Sequence, residues 1–276
     1  MLTVAQAPQT PAVATVAMRP TSAAIDVGNL NLDLGGKPVL TELSMSIGAG
    51  EFVSLVGPSG CGKTTLLNLI AGLLPASGSG TLRVGGQAPR LGRPDIAYML
   101  ARDSLFPWST ALENAAFGLQ ARGTPKERAR RVATEMLGRV GLSGYEQTYP
   151  KALSHGMRQR VALARTFALD SSLLLMDEPF GALDAQTKLQ LEDLLLTLCQ
   201  HSQHTVLFIT HDLAEAVALS DRVIVLSSRP GRIVADMRID LSRPRSIREL
   251  QKSPHFHELY SRLWAHLEKG WIQHEG

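Results

Sequence analysis

The sequence predicts an α/β fold built around a mostly parallel sheet. Three observations carry that expectation. Four short apolar runs recur (52–56, 173–176, 206–209 and 223–226), helical segments alternate with them, and a glycine-rich turn joins the first run to the first helix. Runs that are near-continuously apolar, interrupted only by Ser54 and with no polar alternation, are what strands covered on both faces require. Their alternation with helices is the pattern of a layered α/β architecture.

Taken in order, Phe52-Val53-Ser54-Leu55-Val56 reads as a strand, and Leu66-Leu67-Asn68-Leu69-Ile70-Ala71 as the start of the helix behind the turn. Thr110 with Glu113 forms a capping box, and so does Thr124 with Glu127, with Pro125 at the first helical position. From about 100 to 170 helices follow one another without a clear strand, so a helical subdomain inserted into the α/β core is expected there. Leu173–Met176, Val206–Ile209 and Val223–Leu226 are the remaining buried strands. Asp184 and Asp212 are candidate helix caps, Asp212 with Glu215 three residues on. Residues 246–276 are expected to form a helical C-terminal extension. Its stripe of Phe256, Leu259, Tyr260, Leu263, Trp264 and Leu267 suits packing on the protein's own core better than a helix that docks a partner. Residues 1–22, rich in Ala, Pro, Thr and Val, read as a flexible tail.

Composition bounds the function without naming it. The 276 residues carry 28 Lys and Arg against 25 Asp and Glu, a net charge of +3, too weakly basic to argue for a nucleic-acid partner. The 2 cysteines, Cys61 and Cys199, give no disulfide framework and suit a reducing compartment. No apolar stretch approaches the ~18–20 residues that span a bilayer. The N-terminus lacks the basic region and continuous apolar core of a signal peptide. Work at a membrane would therefore run through partners. Cys199, His201 and His204 lie close enough to raise zinc binding, but three such residues at a helix end are more often a solvated terminus.

The chemistry concentrates at two strand ends. Gly57-Pro58-Ser59-Gly60-Cys61-Gly62-Lys63-Thr64-Thr65 fits the G-x-x-x-x-G-K-[ST] phosphate-binding loop, in the strand–turn–helix context that loop needs. Its glycines let successive backbone N–H groups converge on phosphate oxygens, favoured further by the positive end of the following helix. Lys63 is positioned to reach the β- and γ-phosphates of a nucleoside triphosphate, and the Thr64 hydroxyl to ligate Mg²⁺. The run 173–176 ends in Asp177-Glu178. The first carboxylate suits Mg²⁺, directly or through water, and the second suits a general base that polarises an attacking water. Both fall at a strand's carboxyl end, where α/β sheets bind ligands.

With these motifs in place, residues 24–245 resemble the ATP-binding subunits of ABC transporters. Lys151-Ala152-Leu153-Ser154-His155-Gly156-Met157-Arg158-Gln159-Arg160 is similar to the family's signature segment, Phe180-Gly181-Ala182-Leu183-Asp184 to its D-loop, and Ile209-Thr210-His211-Asp212 to its switch histidine. The resemblance implies a phosphate-loop NTPase core with an antiparallel β portion near the N-terminus, and an ATP-binding domain over 23–245. It implies ATP and Mg²⁺ as ligands, Lys63, Glu178 and His211 as catalytic groups, and Ser154 and Gly156 as contacts to nucleotide held by a second ATP-binding subunit, most simply a second copy. It further implies transmembrane permease subunits, an external solute-binding protein, and a peripheral location on the cytoplasmic face of the inner membrane.

Leu105-Phe106-Pro107-Trp108, followed by Thr110–Asn114, resembles the segment by which subunits of nitrate, sulfonate and taurine importers meet the membrane protein. Ser228-Arg229-Pro230-Gly231-Arg232-Ile233 and Asp240–Arg245 resemble the same group. Three positions depart from the family pattern. Ala101 stands where a glutamine ligates metal and water, leaving Asp103 as a water-mediated substitute; His155 replaces the first signature glycine; Leu34 replaces an aromatic that stacks on adenine. A degenerate regulatory subunit and a soluble, non-transport ABC ATPase are the alternative readings. The chain has neither the duplicated cassettes nor the basicity of the latter, and a phosphate-loop kinase has no use for 153–160 or 180–184.

Overall fold

The computed structural model describes residues 23–75, 78–181, 183–200 and 204–272; the N-terminal 22 residues, Ala182 and His201 lie outside this set. Two sheets and a helical layer make up the fold. Strands β1 (Ala23–Leu34) and β2 (Lys37–Gly48) form a long hairpin, and β4 (Gly78–Val84) adds to β1 to give an antiparallel sheet in the order β2-β1-β4. The antiparallel N-terminal portion expected from the resemblance is this sheet.

The larger sheet has six strands: β3 (Phe52–Val56), β5 (Ile96–Met99), β6 (Leu173–Asp177), β7 (Thr205–Ile209), β8 (Arg222–Leu226) and β9 (Ile233–Arg238). Their order is β5-β6-β7-β3-β8-β9, and every neighbouring pair is parallel except β8 with β9. All four apolar runs are strands of this sheet, buried on both faces as their composition demands. Phe52 and Val56, Leu174 and Met176, Val206 and Phe208, and Val223 and Val225 face one core. Val53 and Leu55, Leu173 and Leu175, Leu207 and Ile209, and Ile224 and Leu226 face the other. The second core is closed by the antiparallel sheet and by helix α1 (Lys63–Ile70), so α1 lies between two β layers.

The first core is covered by helices. Residues 100–170 contribute α2 (Ala111–Ala121), α3 (Lys126–Arg139) and α4 (His155–Phe167), with no intervening strand. The Thr110–Glu113 capping box forms, with both reciprocal bonds made. The one expected at Thr124 does not. Pro125, with φ −53° and ψ 140°, is itself the capping residue, and having no side-chain acceptor it leaves the helix to begin at Lys126. Helix α5 (Ala185–Gln200) is capped by Asp184, whose carboxylate accepts from the Thr187 N–H at 3.0 Å, and α6 (Leu213–Leu219) by Asp212. After β9 come a short α7 (Ile247–Leu250) and the long α8 (Pro254–Ile272). Phe256, Leu259, Leu263 and Leu267 of α8 are buried in the first core and Tyr260 is partly buried against it, so most of the C-terminal stripe packs on the protein itself, while Trp264 is exposed.

Candidate active site

Because β7 lies between β6 and β3, the carboxyl ends of the three strands are side by side. The phosphate loop leaves β3, Asp177 and Glu178 close β6, and Thr210 and His211 follow β7. Backbone bonds fix the register: Glu178 N–H donates to the Ile209 carbonyl at 2.9 Å, and Asp177 pairs with Ile209 across the ladder.

The loop is held by its own lysine. Lys63, 6% exposed, donates from Nζ to the carbonyls of Gly57 (2.8 Å) and Pro58 (2.9 Å). Gly62 caps α1 in the left-handed conformation, φ 102°, which turns the loop into the helix. The Thr64 hydroxyl donates to Asp177, 2.9 Å to one carboxylate oxygen and 3.2 Å to the other. Burial pushes the Asp177 carboxyl above its ordinary range against the Thr64 bond, the charge of Glu178 adds to the rise, and Lys63 opposes it. A buried carboxylate beside a second carboxylate and a hydroxyl is an oxygen donor set short of positive charge, and a hard divalent cation satisfies it. Glu178 has a left-handed backbone, φ 44°, unusual for a residue with a Cβ and of the kind found at functional sites. His211 Nδ1 lies 3.2 Å from Glu178 Oε2, with the imidazole largely exposed.

Lys63, Thr64 and Glu178 line a cleft of about 350 Å³ together with Ser59, Gly60, Gly62 and Thr65, and with Leu34, Val39 and Arg229; Asp177 and His211 join it through their bonds to Thr64 and Glu178. Ser154 and Gly156 do not line it. Ser154 caps α4, accepting from the Met157 N–H at 3.2 Å, and it is exposed, as is His155. Gly156 packs against α5: a Cβ there would lie 2.6 Å from Thr187 Cγ2, so the glycine has a packing reason of its own. Asp103 is not free to take the place of the glutamine that Ala101 lacks. Its carboxylate accepts from Arg158 Nε at 2.9 Å, and Arg165 holds its backbone carbonyl at 2.7 Å.

Three features escaped the sequence reading. Gln159, buried in the signature helix, donates to the Pro179 carbonyl and so ties that helix to the end of β6. Lys188 of α5 reaches Asp212 at 2.7 Å and lies between the buried Glu192 and Glu215 at 3.9 and 3.5 Å, next in the chain to His211 through Asp212. Arg229 reaches the cleft from the turn after β8. Its position just past a buried strand's carboxyl end was the available signal. Cys199 and His204 are not a solvated helix end. Burial pushes the Cys199 thiol up to about 12, and the buried His204 bonds the Ser171 carbonyl at 2.9 Å.

On the helical layer, Trp108 is 72% exposed, with the Phe106 ring tilted against it at 5.5 Å and edge-on to the half-exposed Phe117 at 4.6 Å. Among the described residues no helix is long and apolar enough to cross a membrane.

Residues 40–181 match the ABC transporter family profile. An ATP-binding protein of Brucella abortus is 43% identical over 240 residues, covering 87% of this chain and 92% of that protein. The taurine import ATP-binding protein TauB of Escherichia coli is 41% identical over 236 residues, covering 84% of this chain and 92% of that one. An ATP-binding cassette solved as a dimer in a post-hydrolysis state, bound to ADP and Pi, superposes with a TM-score of 0.68 at 29% identity, over 79% of this chain and 100% of that one. CbiO1 of Clostridium perfringens, part of a cbiONQ transporter complex, shares the fold at TM-score 0.71 and 23% identity, over 87% and 96% of the two chains. The chain belongs to the ABC transporter family and is an ATP-binding, ATP-hydrolysing subunit of it.

Proposed function

We propose that this subunit energises an importer for a small anionic solute, an aliphatic sulfonate, taurine or nitrate, from the cytoplasmic face of the inner membrane. The observation that carries the catalytic part is the joining of Thr64 to Asp177 and of His211 to Glu178 along one edge of the phosphate-loop cleft. The similarity to a taurine import subunit and the segment Leu105–Trp108 support the solute class.

In this reading the loop amides and Lys63 bind the triphosphate, Lys63 by redirecting ammonium donors now spent on loop carbonyls. Thr64 and Asp177 would hold Mg²⁺, which when bound neutralises phosphate charge. Because alanine offers no ligand, position 101 adds nothing to that set. Glu178 orients and deprotonates the attacking water, and His211 fixes the carboxylate and reaches toward the γ-phosphate. Ser154, Gly156 and the start of α4 meet the nucleotide of a second copy, so two chains enclose two ATP molecules. The closed arrangement gains contacts the open one lacks, which is what lets ATP shift the equilibrium between them. The exposed Phe106–Trp108–Phe117 cluster is the surface for a permease subunit.

Hydrolysis of Mg-ATP by the purified protein at high concentration, against Glu178→Gln, tests the catalytic reading. Activity that depends on Glu178 supports it, while activity equal in both proteins overturns it. Growth of a gene-deletion strain on taurine, single sulfonates or nitrate as sole source tests the solute class, and normal growth on all of them overturns that part.

A further inference from the structure

We propose that Arg229 is the base-stacking residue of the nucleotide cleft, its flat guanidinium lying against the purine. This inference rests on the nucleotide-site reading above. The cleft has two kinds of lining. One comes from the phosphate loop and its neighbours, with Lys63 and Thr64; the other is Leu34, Val39 and Arg229. Leu34 and Val39 are aliphatic, so on that second wall the guanidinium is the only planar group among the described residues. A nucleotide whose phosphates occupy the loop must place its base against some other surface, and this wall borders the same cleft.

The turn that carries Arg229 is keyed to both neighbours. Gly231 N–H donates to the Val39 carbonyl at 2.8 Å, and Thr41 N–H donates to the Gly231 carbonyl at 3.1 Å, which fastens the turn to β2. On its other side the turn abuts the phosphate loop so closely that a Cβ at Gly231 would overlap the Cys61 carbonyl oxygen. The side chain is then oriented by one bond, Nε to the Pro38 carbonyl at 3.2 Å. An Nε–H bond lies in the guanidinium plane, so this one occupies neither face, and the residue is exposed. No carboxylate among the described residues pairs with Arg229, whereas Arg232 in the same turn is spent on Glu42 at 3.0 Å. An exposed, unneutralised, planar and weakly hydrated cation is well suited to an aromatic face. Leu34 can pack against the base but brings no π system of its own.

The test is equilibrium binding to the purified protein by calorimetry, with Mg-ATP and magnesium tripolyphosphate as probes, after unfolding midpoints confirm that each variant is folded. Arg229→Ala is expected to weaken Mg-ATP by about three- to thirty-fold and to leave tripolyphosphate unchanged. Arg229→Lys, which keeps the charge and loses the plane, recovers only a minor part. Adding Leu34→Tyr to Arg229→Ala restores a π surface and recovers most of the loss. Equal losses for both probes would make Arg229 a phosphate contact and overturn the proposal, as would full recovery by lysine or an unchanged ATP affinity in the alanine variant. Lys63→Ala separates the two readings. If it abolishes ATP binding while Arg229→Ala does nothing, only the stacking role falls. If it leaves ATP binding intact, the nucleotide-site reading falls and the stacking role with it.

Discussion

Residues 57–65 and 153–160 each lead into a helix start, yet their surroundings differ. At the phosphate loop the reactive groups are engaged within the chain: Lys63 on two loop carbonyls, Thr64 on Asp177, Glu178 on His211. At the signature segment Ser154 only caps its own helix, His155 faces solvent, and neither reaches the cleft. In the proposed reading the first region is a nearly finished half-site, and the second a surface kept for a partner chain. Gln159, bonded to Pro179, links the two mechanically, so the signature helix and the end of β6 should move together.

Substitutions that disable one half at a time separate the two regions. Lys63→Ala and Glu178→Gln are expected to lower hydrolysis by about a hundredfold or more, with ATP binding lost in the first and kept in the second, as read by phosphate release beside nucleotide binding. Ser154→Arg should abolish hydrolysis while leaving each chain able to bind ATP, because it blocks only the surface offered to a partner. Mixing Lys63→Ala with Ser154→Arg then restores activity that neither has alone, since one site of the mixed dimer joins an intact loop to an intact signature. No recovery on mixing would mean that the signature does not serve a partner's site.

A smaller effect is expected inside the finished half. Asp177→Asn removes a buried negative charge whose burial already pushes its carboxyl up, while keeping an oxygen that Thr64 can reach. The unliganded protein should gain about 1 kcal/mol in stability, as residues kept for function rather than fold often allow, and lose magnesium-dependent ATP hydrolysis. Thermal unfolding without nucleotide checks the gain, and a lower midpoint would show that the carboxylate serves the fold.

The sheet and the phosphate end were legible because their physics is local. A four- or five-residue apolar run between turn signals suits a strand covered on both faces, and the loop and the Asp177-Glu178 pair carry their spacing within one segment. Thr124 misled because the capping signal ignores its own proline: Pro125 took the cap position and supplied no acceptor. Asp103 misled because its partner, Arg158, is 55 residues away. Gln159 and the Lys188 cluster were invisible for the same reason, since their partners Pro179 and Asp212 come from other elements, and Arg229 offered only its position past the end of β8.

That cluster supplies the smallest effect. Glu192 and Glu215 are buried on facing helices with Lys188 between them, and Lys188 is also bonded to Asp212. Burial pushes Glu192 up, the charge of Glu215 adds to it, and Lys188 only partly offsets both; burial likewise raises Glu215 against Lys188. Asp212 goes the other way: burial would raise it, but the Lys188 bond and the helix amides hold it below its ordinary value. One ammonium therefore neutralises Asp212 and cannot ionise two further acids, so the folded protein keeps a proton that the unfolded chain releases near pH ~4.3. Since the folded state binds more protons above that value, stability present at low pH is lost as pH rises toward the raised folded value. Asp212, lowered, contributes its change only below pH ~4, outside this window. Glu192→Gln removes the linked proton, so its unfolding free energy should be flatter between pH 5 and 8 and exceed the parent's by about 1 kcal/mol at the upper end. Urea unfolding across that range decides it. A parent curve already flat would mean that Lys188 suffices for all three carboxylates, and that the helices behind His211 are held by a fully charged network.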